Sequence, residues 1–145
     1  MDSIRIFGYK SFKKLSVQLH PINLLIGANG AGKSNFLSLF EMLGNIYEKR
    51  LGAYVAQVGG VDKFLYQGRK VTDRIAVNLL IAKSEYDLAL LESDGKLIVE
   101  REVVGCYDDV CPLDLVRKNV ITEFQSESSL KDHKEEDLSN YISQI

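Results

Sequence analysis

Ile22-Asn23-Leu24-Leu25-Ile26-Gly27-Ala28-Asn29-Gly30-Ala31-Gly32-Lys33-Ser34, with the residues that follow it to Tyr47, decides the fold. Residues 27–34 carry the spacing G-x-x-x-x-G-K-[ST] of a phosphate-binding P-loop. The pattern is short, so its flanks must support it. Upstream, residues 22–26 are an almost wholly apolar run, which predicts a buried strand. Downstream, Phe36, Leu39, Phe40, Leu43, Ile46 and Tyr47 recur at steps of three and four, which predicts a helix with one apolar face over about residues 34–50. Strand, glycine-rich loop and helix is the order the motif requires.

Each residue of the loop has a physical task. Polyphosphate concentrates negative charge, and a helix N-terminus offers unpaired N–H groups and the positive end of a dipole. Gly30 and Gly32 let successive N–H groups turn into one concavity and place no Cβ in the way of a phosphate. Lys33 is expected to reach the β- and γ-phosphates as a point charge. The Ser34 hydroxyl is expected to ligate Mg²⁺. Asn29 has two readings: a turn residue that tolerates positive φ, or a polar group beside the γ-phosphate. The expected contact set is Gly27, Asn29, Gly30, Ala31, Gly32, Lys33, Ser34 and Asn35.

The rest of the chain sets bounds. Its 145 residues make at most one domain, and 46% apolar with 26% charged residues is ordinary for a globular chain. A net charge of −2 gives no general case for nucleic-acid binding. Cys106 and Cys111 form neither a disulfide framework nor a zinc pattern, which reads as two reduced thiols in a cytoplasmic protein. No apolar run approaches the length of a membrane span, and Met1-Asp2-Ser3-Ile4-Arg5 opens no signal peptide.

Alternation predicts strands at 3–7 and 15–19, antiparallel to one another, with His20-Pro21 ending the second. His20 reads as a turn residue, not a catalytic base. Lys49-Arg50 and Gly52 mark the end of the long helix, residues 53–58 a short helical piece, and Gly59-Gly60 its break. Residues 61–66 suggest a further helical turn. A three-stranded antiparallel meander is expected over residues 74–104, turning at Ser93-Asp94-Gly95-Lys96. A loop over 106–115, a strand over 118–124, a polar tail from 125 and a weak helix over 137–145 complete the reading.

The N-terminal order Ile4-Arg5-Ile6-Phe7-Gly8-Tyr9-Lys10-Ser11-Phe12-Lys13, then Leu15-Ser16-Val17, then residues 22–37 with Asn29-Gly30-Ala31-Gly32-Lys33-Ser34-Asn35, resembles the opening of ABC-type ATPases of the RecF/SMC/OLD class, commonly grouped with AAA-family ATPases. Gly59-Gly60 and residues 64–72 are similar to the segment that follows the P-loop helix there. The resemblance implies an α/β P-loop NTPase fold with a mixed sheet and an antiparallel meander, and ATP with Mg²⁺ as ligands. It also implies a site shared with a Q-loop, a signature motif, a Walker B Asp-Glu and a switch histidine. Gln125 stands where a Q-loop residue and metal ligand would fall; read from its neighbours alone it is a solvated loop residue. Leu97-Ile98-Val99-Glu100 lacks the Asp-Glu pair and sits in a hairpin, so it is not read as Walker B. Leu138-Ser139-Asn140 lacks the glycine of a signature motif.

These gaps set the expectation that residues 1–145 form the N-terminal ATP-binding lobe of a larger ATPase, an incomplete domain that binds ATP with little hydrolysis alone. Its partner would be a missing C-terminal lobe or a second subunit, through an ATP-dependent dimer, and DNA would be met through the intact protein. Two other readings are carried: a nucleotide-dependent interaction or switch module without turnover, and a small-molecule kinase, against which the meander argues.

Overall fold

The computed structural model describes residues 2–82, 84–106 and 126–128. Strands β1 (Asp2–Tyr9), β2 (Phe12–Leu19), β3 (Arg74–Ile81), β4 (Ser84–Ser93) and β5 (Lys96–Cys106) form one sheet in the order β2-β1-β3-β4-β5. Every pairing in it is antiparallel. Between β2 and β3 come α1 (Lys33–Tyr47), α2 (Leu51–Val58) and a 3₁₀ turn at Val61–Lys63.

Period-two alternation turns one side of the sheet inward. Ile4 and Ile6 of β1, Ile75 and Val77 of β3, and Leu88 and Leu90 of β4 are buried, while Arg5, Asn78 and Asp87 between them face outward. The helices supply the opposing layer. Phe36, Leu39, Met42, Leu43 and Ile46 form the buried stripe of α1, and Leu51, Tyr54 and Val55 that of α2. All of these belong to one core cluster. Each fully buried Leu or Ile contributes about 2 kcal/mol of apolar transfer.

The helix ends follow local chemistry that the glycines alone did not indicate. Gly44 lies inside α1, and Gly52 lies inside α2. The chain leaves α1 through Lys49 at φ 56°, with the Arg50 N–H donating to Asn45 O at 2.8 Å and the Lys49 N–H to Ile46 O at 3.0 Å. This is a Schellman motif with lysine in the left-handed position. The same pattern closes α2 with Gly59 at φ 104°.

Two expectations need correction. The sheet is antiparallel throughout, not mixed, among the described residues. Residues 22–26 form no strand: Ile22 is 90%, Leu24 81% and Ile26 84% exposed. The reason is physical. An apolar run without alternation needs cover on both faces and a ladder on both edges, and the sheet beside it supplies neither. What orders its start is local, with Asn23 accepting from the His20 N–H at 3.0 Å and donating to His20 O at 2.6 Å. That places His20 in a turn, as its neighbour Pro21 indicates.

The meander follows the expected course and runs further, with β5 continuing to Cys106. A bulge between Ala89 and Leu90 of β4 shifts the β4–β5 register. The expected strand at 118–124 and helix at 137–145 lie outside the described residues.

Candidate functional site

Residues 27–34 form a tight loop that delivers the chain into α1. The Ala31 N–H donates to Ala28 O at 3.2 Å, Gly30 sits at φ 85°, and Gly32 stands as the N-cap at φ 94°. Gly32 O accepts the first helical bond from the Phe36 N–H at 2.9 Å. A side chain at Gly32 would strain the left-handed backbone, and its Cβ would stand 3.1 Å from the Phe12 ring and 3.2 Å from Ser11 Oγ. No side chain caps this helix end and no acidic residue occupies its first turn. The N–H groups of Lys33, Ser34 and Asn35 therefore remain available, with the positive end of the dipole behind them. An anion completes such a terminus.

Lys33 folds back over its own loop. Its Nζ donates to Gly27 O at 2.5 Å and to Ala28 O at 2.8 Å, both at the exposed surface. The ammonium thus lies against the backbone of the loop's first two residues. Ser34 is exposed, with its hydroxyl free to ligate a cation. A phosphate fits this donor set. For a metal ion the loop supplies that one hydroxyl, and no group of three His, Cys, Asp or Glu gathers among the described residues.

Sequence reasoning missed what braces the loop. The two-residue Lys10-Ser11 turn of the β1–β2 hairpin lies against the first turns of α1. Asn35 Nδ2 donates to Ser11 Oγ at 2.9 Å. Ser38 Oγ donates to Asn35 O at 2.9 Å, so it accepts from Lys10 Nζ at 2.7 Å and from the Tyr9 hydroxyl at 2.9 Å. Burial lowers the Lys10 ammonium below its ordinary value, and Glu41 opposes that shift. Burial also pushes the Tyr9 phenol well up, while the Ser38 bond opposes it. An open groove of about 800 Å³ runs from Asn35 along Lys10, Asp62 and Arg69. Asn35, expected as a phosphate contact, here carries its side chain toward the hairpin. The alternation of β1 and β2 located the hairpin, but not its partner on α1.

Gln125 lies outside the described residues, while the two positions that follow Ser126 are inside and well anchored. Glu127 takes the N-terminus of α2, accepting from the Leu51 N–H at 2.9 Å and the Gly52 N–H at 3.2 Å. Ser128 is buried and donates to both oxygens of Glu102, at 2.7 and 3.0 Å. Tyr86 donates to the same carboxylate at 2.7 Å. At these two positions a carboxylate serves as a remote helix cap, and a hydroxyl satisfies a buried acid.

The glycine-rich loop thus feeds an uncapped helix N-terminus with lysine and serine on its first turn. The chain belongs to the AAA ATPase domain family, whose profile matches residues 1–145. No curated protein matches it. Among the described residues no helix is long and apolar enough to cross a membrane.

Proposed function

We propose that the chain binds Mg²⁺-ATP through residues 27–35 as the nucleotide-binding lobe of an ABC-type ATPase of the RecF/SMC/OLD kind. A second lobe, pairing along residues 22–26, would bring the carboxylates that hydrolysis requires. The uncapped start of α1 carries this reading, because the N–H groups of Lys33, Ser34 and Asn35 have no side-chain cap and Lys33 Nζ lies over the loop beside them. The first-turn N–H groups would donate to phosphate oxygens, Lys33 would exchange Gly27 O and Ala28 O for them, and Ser34 would offer its hydroxyl to Mg²⁺. Bound ATP supplies a transferable phosphoryl group. The exposure of Ile22, Leu24 and Ile26 supports the paired lobe, since in an extended run these three share one apolar face. DNA as the substrate of the whole assembly, in repair, chromosome maintenance or phage defence, follows from the class alone.

Titration calorimetry with Mg²⁺-ATP tests the first part. Wild type is expected to bind, and Lys33→Ala to weaken binding by about 100-fold, the equivalent of about 3 kcal/mol for a charge-assisted contact. Absence of binding by wild type would sink the proposal. Hydrolysis by this chain alone at many turnovers per minute would overturn the need for a second lobe.

A second reading, a nucleotide switch without turnover, is favoured by one observation: Asn35 and Ser38 tie the first turns of α1 to the β1–β2 hairpin. Amide exchange with and without ATP separates the two. Protection that spreads into β1 and β2 favours a switch, and protection confined to residues 27–40 counts against it.

A further inference from the structure

The side of the sheet turned away from the helices holds a second concavity, of about 560 Å³. Its axis is one row of cross-strand neighbours. Lys14 of β2 stands opposite Phe7 of β1, Phe7 opposite Ala76 of β3, Ala76 opposite Ala89 of β4, and Ala89 opposite Arg101 of β5. Strands lie about 4.8 Å apart, so about 14 Å separates Phe7 from Arg101 across a floor of two alanine methyls. The neighbouring row brings Arg5 beside Phe7, and Asn78 and Asp87 beside the alanines.

The groups here are unspent. Phe7 is 45% exposed, and its ring meets neither an aromatic nor a cation among the described residues. Arg5 and Lys14 make no ion pair among the described residues. Arg101 reaches Asp87 only at 3.9 Å, with 60% of its side chain exposed. Asn78 spends its amide protons on Glu85 and Asp87, at 2.6 and 2.8 Å, which leaves its carbonyl oxygen as an acceptor. Three cations and the Asp87 carboxylate line the concavity, with Glu85 of the same face beyond Asn78, in a chain whose net charge is −2.

We infer that this outer sheet face binds a nucleotide unit, with its base stacked on Phe7 over Ala76 and Ala89 and its phosphate at the Arg101 end, while Arg5 and Lys14 add positive charge beside Phe7. A flat ring needs an aromatic wall and a floor without bulk, and an open antiparallel sheet provides both. Charge complementarity selects an anionic ring over a neutral one, and the Asn78 and Asp87 oxygens suit the exocyclic amino group of a base. The same unit occurs free, as a nucleoside monophosphate, or within a single strand. The site stands apart from residues 27–35 and does not depend on them.

The test uses the whole chain carrying Lys33→Ala, so that the P-loop does not compete. Amide shifts are followed on titration with AMP and, separately, with an unstructured single-stranded oligonucleotide. Shifts confined to the five strands around Phe7 support the site; AMP alone achieving them identifies a free nucleotide, and the oligonucleotide alone a single strand. Phe7→Leu is expected to weaken binding about tenfold. Arg5→Ser with Arg101→Ser is expected to flatten a salt dependence whose log–log slope is about −2 in wild type for a strand. Both variants change only exposed positions, and unchanged circular dichroism controls for folding. No shift on this face with either probe, or equal affinity in Phe7→Leu, overturns the inference.

Discussion

Gly32 concentrates the demands of the loop in one residue. Its φ of 94° lies where side chains are strained, and Phe12 and Ser11 stand within 3.2 Å of any Cβ added to it. Gly32→Ala should therefore cost about 1–3 kcal/mol of stability and push the hairpin away from α1. Urea unfolding reads the first effect, and a weaker Mg²⁺-ATP titration the second. Lys33→Ala should behave differently, because its bonds to Gly27 O and Ala28 O are exposed; its unfolding midpoint should stay within about 0.5 kcal/mol of wild type while binding falls. A large loss of stability in Lys33→Ala would mean that the lysine is a structural clasp. At this scale the sequence was readable where the loop's bend demands glycine, as at Gly30 and Gly32, both at positive φ. It was opaque at Asn35, whose partner Ser11 is fixed only when the hairpin docks.

Helix α2 owes its start to a residue far along the chain. With Arg50 as N-cap and no side-chain cap of its own, its Leu51 and Gly52 N–H groups go to Glu127. Glu127→Ala should cost about 1 kcal/mol, and Glu127→Gln less, since an amide oxygen keeps one bond while the charge facing the dipole is lost. Thermal melts of the two variants check the order; equal melting temperatures to wild type would show the contact to be idle. Element periodicity in the sequence gave α1, β1, β2 and the meander, because each has one wet and one dry face. The run at 22–26 misled because composition alone specifies burial and says nothing about which neighbours are present. Glu127 was illegible for the opposite reason: a glutamate among serines signals solvent unless the helix end it serves is known.

Among the described residues the buried polar groups are phenols, Glu102 and Ser128. Burial pushes Tyr54 up to about 12, with Glu41 adding to the shift, and raises Tyr9 and Tyr86 well above the ordinary phenol value. For each, the folded chain keeps a proton that the unfolded chain releases near pH 10. Their contribution is complete below that pH and is lost as pH rises toward the folded values. Each tyrosine removes about 1.4 kcal/mol per pH unit, so the three together remove about 4. Urea midpoints should be flat up to pH 9.5 and fall steeply above about pH 10, and Tyr54→Phe should soften that fall by about a third; a flat profile to pH 11 would contradict it. The strand order also has a consequence in time. β1–β2 and β3–β4–β5 are each local, but the β1–β3 seam joins distant chain, with Asp2 accepting from the Ala82 N–H across 80 residues. Closing that span is the slow, entropically costly event, and it is best made after both hairpin units exist. α1 gains its floor only when the seam closes, so a newly synthesised chain acquires its phosphate loop late, as the outcome of assembly between two early-folding pieces.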